Sequence, residues 1–142
     1  MPKNRTYLDT GVLIAAFRGQ HSLHEAAFAI LDDPNREFVI SDFLKLELLP
    51  KAIFHDQQEE AEFYRMFFDE AAEVLELTPE HSREVLVLAC KYGLAACDAI
   101  HVHTALTTSA TEFVTTEKPE KPFFRITDKS IQMISLVRKT GE

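Results

Sequence analysis

What most constrains the fold of this sequence is an alternation: short apolar runs recur between longer stretches that carry helical periodicity. Thr6-Tyr7-Leu8 runs into Asp9 and then into the apolar stretch from Val12 to Phe17, a buried strand leading into a helix that stops near Gly19. Further strands are predicted over residues 37–40, 74–77 and 112–115, with a fifth, short one over residues 123–126. Between them lie helical segments. Ser22-Leu23-His24-Glu25 has the form of a capping box ahead of an alanine-rich helix that ends before Pro34. Ser41 or Asp42 caps a third helix, which contains Glu47 and which Pro50 is expected to kink or interrupt. Residues 55–73 place apolar side chains at amphipathic spacing, a packed stripe under a solvated acidic face. Thr78-Pro79-Glu80 starts another helix that ends at Gly93, and residues 97–106 form the next.

Strands separated by helices imply an α/β chain: a three-layer α/β/α sandwich with a mainly parallel sheet of about five strands. At 142 residues and 46% hydrophobic content, one domain spanning residues 1–142 can bury a core without disulfides or structural metal. Cys90 and Cys97 have neither a CxxC spacing nor a zinc-finger partner pair, and read as reduced core thiols of a cytoplasmic protein. Charged residues punctuate every hydrophobic run, so no window reaches the roughly 20 apolar residues of a membrane span. The apolar stretch near the N-terminus is interrupted by Asp9 and lacks the form of a secretion signal.

Sheets of this class put ligand sites beyond the carboxyl ends of strands, where strand order reverses. Asp9 and Glu117 each follow a predicted strand, while Glu47 and Asp98 are embedded among leucines and alanines. A convergence of these acids would raise their pKa values by mutual repulsion, and a hard divalent cation, Mg²⁺ or Mn²⁺, would relieve it. The net charge of −8, from 23 acidic against 15 basic residues, argues against a surface that grips nucleic acid by phosphate neutralisation alone. A bound cation can still attract phosphate locally, and an acidic surface suits a basic protein partner. Neither His21 with His24 nor His101 with His103 is spaced as a zinc pair, and Lys118, Lys121 and Arg125 read as an ordinary surface loop. An aspartyl phosphatase of the haloacid-dehalogenase kind would need a second acid where Gly11 stands.

Four segments carry a resemblance to a known family. Tyr7-Leu8-Asp9-Thr10-Gly11-Val12-Leu13-Ile14, Ser41 through Glu47-Leu48, Tyr92-Gly93-Leu94 through Asp98-Ala99-Ile100-His101, and Phe113-Val114-Thr115-Thr116-Glu117 resemble, in order, the four acidic motifs of PIN domains, including VapC-like toxin ribonucleases. The third is the most specific. Glu117 stands where that family more often has aspartate, and His103 where it commonly has a small residue. The resemblance implies metal-dependent endonucleolytic cleavage of RNA by activated water, leaving a 5′-phosphate and a 3′-hydroxyl. Asp9, Asp98 and Glu117 would ligate Mg²⁺ or Mn²⁺, and Glu47 would ligate it or hold its water. Thr10 and Thr116 would position water or a carboxylate. A basic antitoxin partner and a homodimer are further implications, and the competing expectation is a PIN-like domain that binds RNA or protein without turnover.

Overall fold

The computed structural model describes residues 3–137. Strand β1 (Asn4–Leu8) is followed by helices α1 (Thr10–Phe17) and α2 (His24–Leu31), then β2 (Arg36–Ser41), α3 (Asp42–Phe54), α4 (Gln58–Glu70) and β3 (Glu73–Leu75). Helices α5 (Pro79–Tyr92) and α6 (Ala96–Thr107) lead to β4 (Glu112–Thr115), a 3-10 turn (Pro122–Arg125) and β5 (Gln132–Ser135). Every strand pair is parallel, in the order β3-β2-β1-β4-β5. The chain moves outward from β1 through β2 to β3, then returns to the other flank of β1 with β4 and β5. The reversal therefore falls between β1 and β4, where Tyr7 pairs with Phe113 and Leu8 with Val114.

Side chains alternate across a strand, so neighbouring residues feed opposite faces of the sheet. Leu8, Ile40 and Val114 join Val12, Leu13, Leu44, Leu48, Tyr64 and Phe68 in a core under α1, α3 and α4. Tyr7, Val39 and Phe113 join Val102, Ala105, Phe123 and Ile131 in a second core under α6. Both faces are covered, which is why Tyr7-Leu8, Phe38-Val39-Ile40 and Phe113-Val114 are consecutive apolar residues within β1, β2 and β4. The three-layer arrangement agrees with the sequence expectation.

Local signals decided several boundaries. Thr78 accepts the His81 amide and His81 returns a bond to the Thr78 amide, so α5 begins in a reciprocal cap with Pro79 in its first turn. Gly93 closes that helix in the left-handed region at φ 67°, its N–H bonded to the Ala89 carbonyl.

Four expectations need correction. The fifth strand is not at residues 123–126: Pro122 opens a 3-10 turn there, and Phe123 is apolar because it plugs the second core against Phe113 at 5.2 Å between ring centroids. The strand lies later, at Gln132–Ser135. Ser22 caps nothing, since α2 begins at His24 and the His21 imidazole accepts the Leu23 amide instead. Pro50 sits inside α3, which runs on past it, so of the kink or interruption expected there the interruption is absent. Cys90 and Cys97 are free but exposed, not core thiols. Among the described residues no single helix is long and apolar enough to cross a membrane.

Candidate active site

Asp9 is the first residue beyond β1 and the N-cap of α1, with extended backbone (φ −65°, ψ 155°). Its amide donates to the Val114 carbonyl at 2.9 Å, which binds the end of β1 to β4. Its carboxylate is held from two directions: Oδ1 accepts the Thr10 amide at 2.7 Å and Oδ2 accepts the Thr115 hydroxyl at 2.8 Å. A carboxylate with two fixed donors is oriented before any ligand arrives.

Thr10 carries the network onward. Its hydroxyl donates to Oε1 of Glu47, on α3, at 2.6 Å. The same oxygen lies 2.5 Å from Nε2 of His101, on α6, and that nitrogen is 3.9 Å from Oδ1 of Asp9. On its other side the imidazole meets the Tyr7 hydroxyl through Nδ1. Burial pushes the Glu47 carboxyl up, but the hydrogen bonds from His101 and Thr10 outweigh it and hold Glu47 below the ordinary range.

Asp98 lies one turn before His101 in the first turn of α6, where the helix dipole favours a carboxylate. Its pKa is nonetheless raised, first by burial and then by the negative charges of Asp9 and Glu117, against the smaller opposing pull of His101 and Lys121. Glu117 follows β4. Its amide donates to Thr115 Oγ1 at 3.0 Å and its carbonyl accepts the Ser135 hydroxyl at 2.6 Å, while its carboxylate is nearly half exposed (46%) and stands 4.0 Å from Lys121 Nζ.

The structure thus brings Asp9 and Glu47 together around Thr10 and His101, and sets Asp98 within electrostatic reach of Asp9 and Glu117. Of the two threonines singled out in the sequence, Thr10 donates its hydroxyl to the Glu47 carboxylate. On β4 it is Thr115 that grips Asp9; Thr116 instead lays its hydroxyl over Gly11, where a Cβ would overlap it. Sequence reasoning also missed Tyr7 and His101. The available signal was the spacing of Asp98 and His101, three residues apart and so on one face of a helix.

The donor chemistry fits a hard divalent cation: carboxylate and hydroxyl oxygens, with a repulsion on Asp98 that a cation would cancel. Among the described residues no three His, Cys, Asp or Glu side chains are gathered at ligand spacing. A cation would have to draw these carboxylates inward, most of all the exposed Glu117.

A family model, the PIN domain, matches residues 6–119. Among curated protein sequences none matches. Similar solved structures include a toxin-antitoxin complex from Klebsiella pneumoniae, 18% identical with a TM-score of 0.66 over 94% of this chain and 99% of that one. VapBC2 from Rickettsia felis, bound to a DNA fragment from its promoter, is 15% identical with a TM-score of 0.67 over 92% and 98% of the two chains. VapBC-1 from nontypeable Haemophilus influenzae is 22% identical with a TM-score of 0.61 over 93% and 98%. At these identities the likeness is one of fold.

Proposed function

This chain belongs to the PIN-domain family, and on that premise we propose that it is a metal-dependent endoribonuclease, the toxin of a toxin–antitoxin pair. What supports this reading is that Asp9 and Glu117 follow β1 and β4, the strands between which the order reverses, and that their charges add to burial in raising Asp98. Asp9, Asp98 and Glu117 would hold Mg²⁺ or Mn²⁺, with Glu47 as a further ligand or the holder of a water. When bound, the cation supplies Lewis-acid activation of water and neutralises charge at the scissile phosphate.

The protein's own groups set the geometry. The Thr10 amide and the Thr115 hydroxyl fix Asp9, and the Thr10 hydroxyl fixes Glu47, so two carboxylates are oriented by one turn of backbone. Water oxygen attacks phosphorus and the bond to the 3′-oxygen breaks, leaving a 5′-phosphate and a 3′-hydroxyl. With a net charge of −8, RNA affinity is concentrated at the cation and not spread over the surface. The same charge suits a basic antitoxin, in keeping with the toxin-antitoxin assemblies that share the fold. A guanidinium from such a partner would satisfy the acids in the cation's place.

The second reading, a PIN domain that binds RNA without turnover, draws support from the exposure of the Glu117 carboxylate. The two separate in one assay. Labelled RNA incubated with purified protein is expected to be cleaved with Mg²⁺ or Mn²⁺, spared with chelator, and spared by Asp98→Asn protein that keeps its fold. Cleavage by Asp98→Asn at the native rate removes Asp98 from the mechanism, and RNA binding without metal-dependent cleavage supports the second reading.

A further inference from the structure

We propose that His101 and Tyr7 act as a clamp that positions Glu47 for the cation, His101 through the close approach of Nε2 to Oε1 and Tyr7 by fixing the imidazole through Nδ1. This rests on the nuclease reading above. His101 is 1% exposed and belongs to the stretch of α6 that packs on the sheet with Ala99, Val102 and Ala105. An imidazole in such surroundings costs desolvation unless both its nitrogens find partners, and an aliphatic side chain would fill the space without that cost. Here each nitrogen meets an oxygen from a different element: Tyr7 from β1 and Glu47 from α3.

The ring has little freedom to turn. Phe43 meets it edge-on with centroids 5.5 Å apart, and Tyr7 packs against it at 5.5 Å and a 52° tilt. A phenol keeps its proton at neutral pH, and here it meets Nδ1 and donates to it. That bond selects the tautomer with hydrogen on Nε2, which faces Glu47. Oε1 of Glu47 then accepts the Thr10 hydroxyl from α1 and lies 2.5 Å from His101 Nε2 on α6. No donor among the described residues reaches Oε2 at hydrogen-bond distance, so that oxygen is the one left for a cation or its water. Carboxylates that ligate metals are commonly oriented in this way, and loss of the supporting bond typically costs about 10–100-fold in metal affinity or activity. At 1% exposure His101 does not touch substrate, so its contribution runs through Glu47.

The test measures Mn²⁺ affinity of the full chain by electron paramagnetic resonance alongside steady-state RNA cleavage. His101→Leu is expected to unfold cooperatively like the wild type, to bind Mn²⁺ about 10–100-fold more weakly and to lose kcat with KM for RNA unchanged. His101→Gln, which keeps a donor, is expected to recover part of both. Tyr7→Phe should move both in the same direction by less, and it guards against a His101 variant that fails to fold. In a Glu47→Gln background, His101→Leu should cost nothing further. Native Mn²⁺ affinity in folded His101→Leu and Tyr7→Phe, or a loss additive with Glu47→Gln, overturns the clamp while the nuclease assignment stands. A wild type that binds no Mn²⁺ overturns both. A wild type that binds Mn²⁺ but cleaves no RNA overturns the nuclease assignment, and the affinity series then decides the clamp.

Discussion

Thr115 donates its hydroxyl to Oδ2 of Asp9 across 2.8 Å, joining the last residue of β4 to the first residue beyond β1, 106 positions away in the chain. Oγ1 of Thr115 in turn accepts the Glu117 amide, so one hydroxyl orients two of the proposed ligands. Thr115→Val keeps the shape and removes both bonds. It is expected to cost about 1–2 kcal/mol in urea unfolding and to depress cleavage strongly, whereas Thr115→Ser retains both. Native cleavage by the valine variant would show that the strand ends hold their register without this hydroxyl.

Gly11 lies where α1 passes closest to β4, and a side chain there would overlap the Thr116 hydroxyl. Because threonine is branched at Cβ, its χ1 is stiff and rotation away from the overlap is restricted. Gly11→Ala is therefore expected to lower cleavage by pushing the Glu117 segment away, despite the better helix propensity of alanine. Thr116→Ala in the same chain should restore it. Equal activity in the single and double variants would exclude the steric explanation.

Asp98 is raised by burial and by the charges of Asp9 and Glu117. Its folded pKa exceeds its unfolded one, so it favours the fold at low pH, and that contribution is lost as pH rises through the ordinary carboxylate range to the raised folded value. Near neutral pH the ionised group opposes folding of the metal-free protein. Asp98→Asn is expected to match or exceed the wild-type Tm in chelator, and to lose the Tm increase that Mg²⁺ gives the wild type. A variant clearly less stable than wild type in chelator would contradict the repulsion.

Glu112 gives the opposite sign, far from the strand ends. Its carboxylate accepts the Thr6 hydroxyl at 2.7 Å and the Arg36 guanidinium at 2.9 and 3.2 Å. Burial pushes its pKa up, but the bonds from Arg36 and Thr6 outweigh it and hold the group below the ordinary range. Its stabilisation is present above the unfolded value of about 4.3 and fades as pH falls through the depressed folded value. Glu112→Gln is expected to cost roughly 2–4 kcal/mol near neutral pH, with the gap to wild type closing as pH falls below the ordinary carboxylate range. A gap independent of pH in urea titrations would assign the loss to packing.

The elements that were legible in the sequence are those whose signals are local. Thr78, Pro79 and Gly93 mark the ends of α5 through capping chemistry that needs no distant partner. Glu112–Thr115 reads as a strand because β4 is buried along its whole length. Phe123 misled for the same reason, since burial makes a residue apolar whether it sits in a strand or a turn. Placing Asp9, Glu47, Asp98 and Glu117 as a set came from motif resemblance, and the structure supports their proximity only in part. Thr115 against Thr116 could not be decided without knowing which face of β4 meets β1. Tyr7 and His101 are 94 residues apart, and no pattern along the chain links them.

The insertion of β4 beside β1 also governs when the protein can first work. Asp9 leaves the ribosome 106 residues ahead of its partner Thr115, and β1 has no neighbour on its β4 flank until β4 follows. Pairings this distant form slowly and only after a long loop has closed. The Asp9 carboxylate therefore gains the Thr115 hydroxyl only once β4 has been made and the sheet has closed around its centre.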